Sequence, residues 1–235
     1  ESGESIANLA GNGGHSGTVS AVAISKDGKT TLSGAEDGSV NVWSLESGDL
    51  VRSLKGHSNG VSCVAFIEDD RVALSGGHDS TIKVWDLGSG LGRRDSNPGV
   101  KLTPRTTLRG HRGTVLALAG IGTSGRFVSG GRDGMVNVWD VQRSLITLKF
   151  QMNGPISSLR THLMTIVGSC GDSSLHVWSA TTGKLLRTVG GNQKSVVRKN
   201  VATSIGASSH IPTTHAPILS IALYQNGSRA ASASA

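Results

Sequence analysis

Short runs of alternating apolar and polar residues, separated by turn residues, recur along this chain of 235 residues. Alternation with a period of two is typical of half-buried strands. In the first group, Asp27-Gly28 and Asp37-Gly38 separate the runs, and Gly after Asp permits the positive φ of a hairpin turn. The pattern predicts four antiparallel strands: Val19 to Ile24, Thr30 to Gly34, Val40 to Ser44 and Leu50 to Leu54.

The same order of strands and turns returns at a fixed spacing. Three Gly-His pairs are each followed, 28 residues after the His, by a Trp. The paired residues are His15 and Trp43, His57 and Trp85, and His111 and Trp139. A fourth unit keeps Asp172 and Trp178, but Met152 stands where His is expected and Gly168 where Ser is expected. Self-similarity at this spacing indicates a repeat architecture whose fourth copy is degenerate.

The repeat divides the chain into consecutive segments. ESGESIANLAG at the start aligns with ESGDLVRSLKG at 46–56, so it is predicted to be the last strand of an upstream unit. The predicted segments are that strand (1–11), two units (12–55 and 56–109, the second with an inserted loop 88–105), a third unit (110–151), the degenerate unit (152–190), a long loop (191–215) and the first two strands of a truncated unit (216–235).

The Gly-His opening, the Ser-Gly ending of the second strand, the Asp-Gly turn and the pairs Trp85-Asp86 and Trp139-Asp140 together resemble the WD-repeat family. The resemblance extends over nearly the whole chain. It implies an all-β fold, a β-propeller of four-stranded antiparallel blades, with about four full blades plus partial blades at both ends. The units predict nineteen strands, one fewer than a closed ring of five blades needs, so we expect the sequence to belong to a longer propeller.

Composition fits a globular protein. Gly is plentiful at 33, and charged residues make up 17%. No apolar run approaches the roughly 18 to 20 residues that cross a bilayer, so no membrane insertion is expected. Cys63 and Cys170 lie in strand-like segments and are predicted to be small buried residues without a disulfide. This use of cysteine favours a reducing compartment, the cytoplasm or the nucleus.

Each intact unit repeats His, Ser and Asp, the residue types of a hydrolase triad. A catalytic site is built once, whereas this set recurs with a Trp, and no Gly-x-Ser-x-Gly elbow is present. The resemblance implies instead a structural network in which Trp bonds Ser, Ser bonds His, and His bonds Asp. The network residues are His15, Ser33, Asp37 and Trp43; His57, Ser75, Asp79 and Trp85; His111, Ser129, Asp133 and Trp139; and Asp172 and Trp178. We therefore predict that the protein is not an enzyme, and that the fourth unit is held mainly by apolar packing.

Neither a metal ion nor a cofactor is predicted. The sequence has no Cys-x-x-Cys or His-x-x-x-His pair, and the repeated His residues would lie in different blades. The glycines belong to Ser-Gly-Gly and Asp-Gly turns without a following helix pattern and without Gly-Lys-Ser/Thr, so the sequence gives no support for a phosphate-binding loop.

The resemblance places the Asp turns and the loops between units on one rim of the propeller channel. Rim positions carry Glu36, His78, Arg112 and Arg132, together with Ser16 and Ser58. Arg is suited to binding a carboxylate or phosphate on a peptide. The inserted segments 88–105 and 190–215 add further basic residues and are candidate recognition loops. We therefore expect a scaffold or recognition module that binds protein partners, including acidic or phosphorylated peptides, within a larger protein or complex.

A propeller that binds RNA or a ribonucleoprotein is the alternative. The formal net charge is +7 and the isoelectric point is near 9.9, which favours acidic partners of every kind. Aromatic residues make up only 3% of the chain and mostly occupy strand positions, so stacking platforms for bases are lacking. Protein binding is therefore the favoured prediction.

Overall fold

The computed structural model describes residues 14–88, 103–123, 125–172 and 174–190, together with the backbone of 218–224 and 229–234. The chain divides into two compact units, Glu1–Val115 and Leu116–Ala235. Among the described residues every regular element is a β-strand. The predicted upstream strand (1–11) and most of the inserted segments 88–105 and 190–215 lie outside the described residues.

The first unit contains two four-stranded antiparallel sheets, which are the first and second blades. The strands of the first blade are β1 (Val19–Ile24), β2 (Thr30–Ala35), β3 (Ser39–Ser44) and β4 (Leu50–Lys55). The strands of the second blade are β5 (Val61–Ile67), β6 (Val72–Gly77), β7 (Thr81–Asp86) and β8 (Thr106–Arg109). In both blades neighbouring strands in the sheet are neighbours in sequence, as the alternation of runs and turns predicts.

The second unit contains the third and fourth blades and a two-stranded sheet. The third blade consists of β9 (Val115–Ile121), β10 (Arg126–Gly131), β11 (Met135–Asp140) and β12 (Leu145–Gln151). The fourth consists of β13 (Ile156–His162), β14 (Thr165–Cys170), β15 (Ser174–Ser179) and β16 (Leu185–Gly190). The two-stranded sheet pairs β17 (Ile218–Tyr224) with β18 (Arg229–Ser234). The predicted all-β fold of four complete sheets and a partial one is confirmed.

The repeat extends to irregularities of the backbone. Pairing of the first two strands shifts by one residue after Val19, Val61 and Ile156. Pairing of the last two strands shifts directly before Trp43, Trp139 and Trp178. Such bulges increase the local twist of a strand pair. Their common position shows that the degenerate fourth unit keeps the backbone of the intact ones.

The core of the first unit lies between its two sheets. Buried residues of the first blade, among them Leu32, Val40 and Val42, pack against Val61 and Trp85 of the second blade. Because strand side chains alternate between faces, these residues belong to the face of the first sheet that meets its neighbour. The tryptophan at the end of the third strand therefore helps to hold two blades together.

The second unit repeats this packing between the third and fourth blades. Val136 and Val138 of β11 share a buried cluster with Ile156 and Trp178. The ring of Phe150 on β12 stacks on Trp178 at 5.8 Å with an interplanar angle of 7°. Apolar packing between successive sheets thus supports the fourth blade as it supports the second.

Candidate functional site

His57, Ser75, Asp79 and Trp85 of the second blade, the His57 network, form a continuous chain of hydrogen bonds. The indole Nε1 of Trp85 donates to Oγ of Ser75 at 2.9 Å. The Ser75 hydroxyl lies 2.8 Å from Nε2 of His57, and Nδ1 of His57 lies 2.9 Å from Oδ2 of Asp79. The structure therefore brings together all four residues that the sequence selected in this unit.

These contacts and the local environment define the protonation states in the network. Burial lowers the pKa of His57, although Asp79 opposes that shift. Burial alone would raise the pKa of Asp79, but hydrogen bonds from Thr81 and His57 lower it to about 2. His57 is accordingly neutral at pH 7, with Nδ1–H donating to the Asp79 carboxylate and Nε2 accepting from Ser75.

The order Ser, His, Asp is also the order of contacts in a hydrolase triad, but the surroundings of this set differ from an active site. Ser75 is 0% exposed, and the side chain of His57 is likewise fully buried. The Ser75 oxygen already accepts a hydrogen bond from Trp85. A substrate carbonyl has no access to this hydroxyl, so the geometry is suited to joining the third strand to the loop that opens the blade.

The first blade contains the same set with one additional member. Trp43 Nε1 donates to Ser33 at 2.7 Å, and Ser33 lies 2.7 Å from Nε2 of His15. Nδ1 of His15 is 2.8 Å from Oγ of Ser39, whose hydroxyl donates to Asp37 at 2.6 Å. Ser39 thus bridges His15 and Asp37, and Nδ1 of His15 also lies 3.5 Å from Oδ1 of Asp37.

In the third blade, Trp139 Nε1 donates to Ser129 at 2.8 Å, as in the other intact units. Asp133 accepts a hydrogen bond from the backbone N–H of Met135 at 3.0 Å, which stabilises the turn between β10 and β11. His111 is buried and belongs to the first compact unit.

The fourth blade forms a polar cluster around a residue that the sequence-based prediction missed. Oγ of Ser174 lies 2.5 Å from Nε2 of His176 and also donates to Asp172. His176 stacks on Trp178 at 5.6 Å, and its Nδ1 lies 3.2 Å from Oγ1 of Thr188. A histidine on β15 therefore meets the Asp of the turn in a blade whose opening loop has Met152. Its position two residues before Trp178 was the available signal, because Asn41, Lys83 and Asn137 are polar at the same place.

The predicted rim residues of the first unit occupy neighbouring turns. Gly60 separates Glu36 from His78, and a Cβ on Gly60 would lie 3.1 Å from Cα of Glu36 and 3.2 Å from Cδ2 of His78. Nδ1 of His78 lies 3.3 Å from Oγ1 of Thr114. Glu36 and His78 are exposed. The exposed Glu36 and His78, together with the buried Gly60 between them and the buried Thr114 that contacts His78, are called the rim ledge.

The two predicted rim arginines occupy the expected turn positions. Arg112 follows His111 in the first unit, and Arg132 precedes Asp133 in the second; both are exposed. A basic patch that combines them stays a prediction. Ser16 and Ser58 are also exposed, and their backbone N–H groups donate to Asp37 at 2.8 Å and to Asp79 at 3.1 Å.

Metal sites, thiols and membrane-spanning helices are the other features of the chain that bear on function. The described part of the chain contains no group of three or more His, Cys, Asp or Glu side chains placed to hold a metal ion. Cys63 and Cys170 are buried free thiols, as predicted. Burial raises the pKa of Cys63 to about 12 and also raises that of Cys170. Within the described residues, no helix is long and apolar enough to cross a membrane.

The repeats match a known protein family and a known relative. The family described as "WD domain, G-beta repeat" matches residues 3–44, 48–86 and 102–140, together just over half of the chain. The WD repeat-containing protein slp1 of Schizosaccharomyces pombe is 30% identical over an alignment of 89 residues, and the match covers 35% of this chain and 18% of slp1. The match thus spans less than a fifth of that relative.

Among solved structures, the crystal structure of RRP9 WD40 repeats is similar with a TM-score of 0.65 and 24% identity. The match covers 74% of this chain and 51% of that one, and at this identity it shows a shared fold. The repeated strands, the bulges in register and the family match agree with one another. The chain belongs to the WD-repeat family of β-propellers.

Proposed function

We propose that this chain is a non-catalytic recognition module that binds segments of partner proteins at the Asp-turn end of its blades. Domains of this family generally act as scaffolds for protein interactions. The observation that carries the proposal is the rim ledge. It places an exposed carboxylate and an exposed imidazole side by side on neighbouring turns, with the buried Thr114 hydroxyl hydrogen-bonded to the imidazole, and loops of this kind commonly carry binding residues.

The rim ledge offers both hydrogen-bond acceptors and hydrogen-bond donors to a peptide. The Glu36 carboxylate accepts hydrogen bonds and makes none to another described residue. His78 and Thr114 supply a ring nitrogen and a hydroxyl. Arg112 in the first unit and Arg132 in the second are suited to carboxylate or phosphate groups. We therefore include acidic and phosphorylated peptides among the ligands.

RNA binding is the second candidate, because the chain has a net charge of +7. The described aromatic rings argue against it. All four Trp residues are buried, as is Phe127, while Phe66 and Phe150 are half-buried against the apolar clusters between blades. No described Trp or Phe ring therefore offers an exposed face on which a base could stack.

A displayed library of random peptides, selected on the immobilised chain, tests the proposal. Synthetic versions of the enriched peptides should bind the wild type, and binding should fall at least about tenfold in Arg112→Glu with Arg132→Glu or in His78→Ala. Lys29→Glu with Lys149→Glu is the matched control, since it changes the net charge equally at exposed positions away from the Asp turns: Lys29 lies in the turn between β1 and β2, and Lys149 pairs with Asn137 in the middle of β12.

Equal loss of binding in the control pair would show a general charge effect and reject the rim assignment. Fluorescent single-stranded RNA is the second probe, used at several salt concentrations. Retention of RNA with steep salt dependence, in the absence of any rim-dependent peptide, would replace the proposal by the RNA alternative.

A further inference from the structure

The turn between β13 and β14 has an unusual conformation for its residues. His162 pairs with Thr165, so Leu163 and Met164 alone form a two-residue hairpin loop. Leu163 has φ of +49°, a left-handed conformation that Gly, Asn and Asp adopt readily and that a bulky side chain rarely adopts. The corresponding turn of the first blade has Gly28 at φ of +70°. The fourth blade therefore holds a leucine where the backbone favours a smaller residue.

The same two residues are exposed. Leu163 is 73% and Met164 49% accessible to solvent, so neither gains much free energy from burial within the described residues. A strained backbone at a position with no packing role is a feature that function commonly maintains. The two observations together indicate that these apolar side chains are presented for contact with another molecule.

The turn between β15 and β16 extends the apolar surface. The backbone N–H of Ala180 donates to the carbonyl of Met164 at 2.8 Å, which joins the two turns at one end of the sheet. Leu185, 48% exposed, begins β16 directly after the exposed Lys184. We call Leu163, Met164, Lys184 and Leu185 the lower end of the fourth blade. At about 4.8 Å per strand, Leu163 and Leu185 are roughly 12 Å apart, which an extended segment of about four residues spans.

The excess of basic residues in the second unit favours an acidic ligand. Residues 116–235 contain eleven Lys and Arg but three Asp and Glu, whereas residues 1–115 contain twelve and thirteen. The three acidic residues of the second unit are already engaged: Asp133 with Met135, Asp140 with Arg143, and Asp172 with Ser174. Lys184, and Arg187 two residues after Leu185 on β16, are both exposed, and neither side chain makes a hydrogen bond or ion pair with another described residue.

We propose that the lower end of the fourth blade is a second docking surface, which binds a partner-protein segment carrying carboxylates beside large aliphatic or aromatic side chains. The segment's apolar side chains cover Leu163, Met164 and Leu185, and its carboxylates meet Lys184 and Arg187. This surface lies at the end of the sheet opposite to the Asp172 turn. It is therefore independent of the rim ledge and of the function proposed there.

Leu163→Asn tests the proposal, because it should make the fold more stable and at the same time weaken peptide binding. Asn tolerates the left-handed conformation, so the melting temperature should rise, by about 3 to 6 °C for each tenfold gain in the folding equilibrium constant. Binding of acidic amphipathic peptides, enriched from a displayed random library on the whole chain, should fall at least about tenfold by fluorescence anisotropy. Lys184→Glu should weaken the same peptides, and more so at low salt.

Two controls separate this surface from others. Leu145→Asn removes an exposed leucine of the third blade and should leave binding unchanged. His78→Ala alters the rim ledge and should also leave these peptides bound, so each proposal can fail while the other stands. Vesicles of phosphatidylserine and phosphatidylcholine are the second probe.

Three results would overturn the proposal. One is a library without enriched peptides that combine acidic and large apolar residues. Another is undiminished peptide binding by the stabilised Leu163→Asn chain. The third is Leu163-dependent binding to the anionic vesicles instead of peptides, which would identify a lipid surface as the occupant.

Discussion

Val61 on the first strand of the second blade packs directly on Gly34 at the end of β2 in the first blade. A Cβ on Gly34 would lie 2.5 Å from Cγ1 of Val61, closer than real carbon atoms approach. Gly130 stands in the same relationship to Ile156 in the second unit, at 2.4 Å. The Gly of the repeated Ser-Gly pair is thus required by the close approach of successive blades.

Gly34→Ala should therefore destabilise the fold by about 1 to 3 kcal/mol, because the added methyl group overpacks the contact with Val61. Chemical denaturation of the wild type, both single variants and Gly34→Ala with Val61→Ala measures the coupling. The double variant should be more stable than the sum of the single effects predicts, since Val61→Ala removes the clashing methyl group. Strict additivity would contradict this contact.

Ser75→Ala should cost about 2 to 4 kcal/mol, because it leaves the buried Trp85 indole and the His57 ring without their shared partner. Urea unfolding followed by tryptophan fluorescence provides the measurement. Ser53→Ala, a half-buried serine on β4, is the matched control and should change stability by less than about 0.5 kcal/mol. Similar losses in both variants would show that the His57 network adds no cooperative stability.

Stability should fall as the pH decreases from 7 to 5. The pKa of His57 is lowered in the folded state. Below pH 6.5 the unfolded chain therefore binds a proton at His57 that the folded chain does not, and the free energy of unfolding decreases. His57 contributes at most about 1.4 kcal/mol per pH unit. The pKa of Asp79 is lowered to about 2, so its carboxylate stabilises the fold at every pH above the ordinary pKa of Asp. This stabilisation is lost only as the pH falls from about 4 towards 2.

The pH dependence can be assigned by comparing slopes. His57→Gln is less stable at every pH, but its stability should depend less on pH between 7 and 5 than that of the wild type. His176, whose pKa is also lowered, accounts for part of the remaining slope. Identical slopes in the two proteins would exclude His57 as a titrating group.

Ser80→Gly should stabilise the protein by about 0.5 to 1 kcal/mol. Ser80 has φ of +62° in the turn after Asp79, where the first and third blades have Gly38 and Gly134 at similar angles. The release of strain exceeds the entropy that Gly adds to the unfolded chain. A lower melting temperature in Ser80→Gly than in the wild type would refute this explanation.

Gly168→Ser restores the residue type found in the other blades, yet it should destabilise the fourth blade by about 1 to 3 kcal/mol. A Cβ at Gly168 would lie 2.9 Å from Leu159 and 2.9 Å from the Trp178 ring, which is fixed between Phe150 and His176. Thermal unfolding of Gly168→Ser is the measurement. Increased stability would mean that the Trp178 ring moves more easily than its stacking contacts imply.

Much of the backbone could be predicted from the sequence, because period-two alternation and Asp-Gly turns are local signals. β1 was predicted to the residue, and β3 begins one residue earlier than predicted, since Ser39 already pairs with Lys55. Side-chain contacts that depend on tertiary placement were harder to predict. The bridge through Ser39 and the cluster around His176 depend on which hydroxyl and ring meet across strands, and spacing along the chain carries little information about that.

The two buried thiols have a practical consequence for studies of unfolding. Cys63 belongs to the first compact unit and Cys170 to the second, and in the folded protein a raised pKa and burial protect both from alkylation. A modifying reagent therefore reacts with each sulfur only after its own surroundings open. Mass spectrometry of the modified peptides would time the opening of the two halves separately, with no label introduced by mutation.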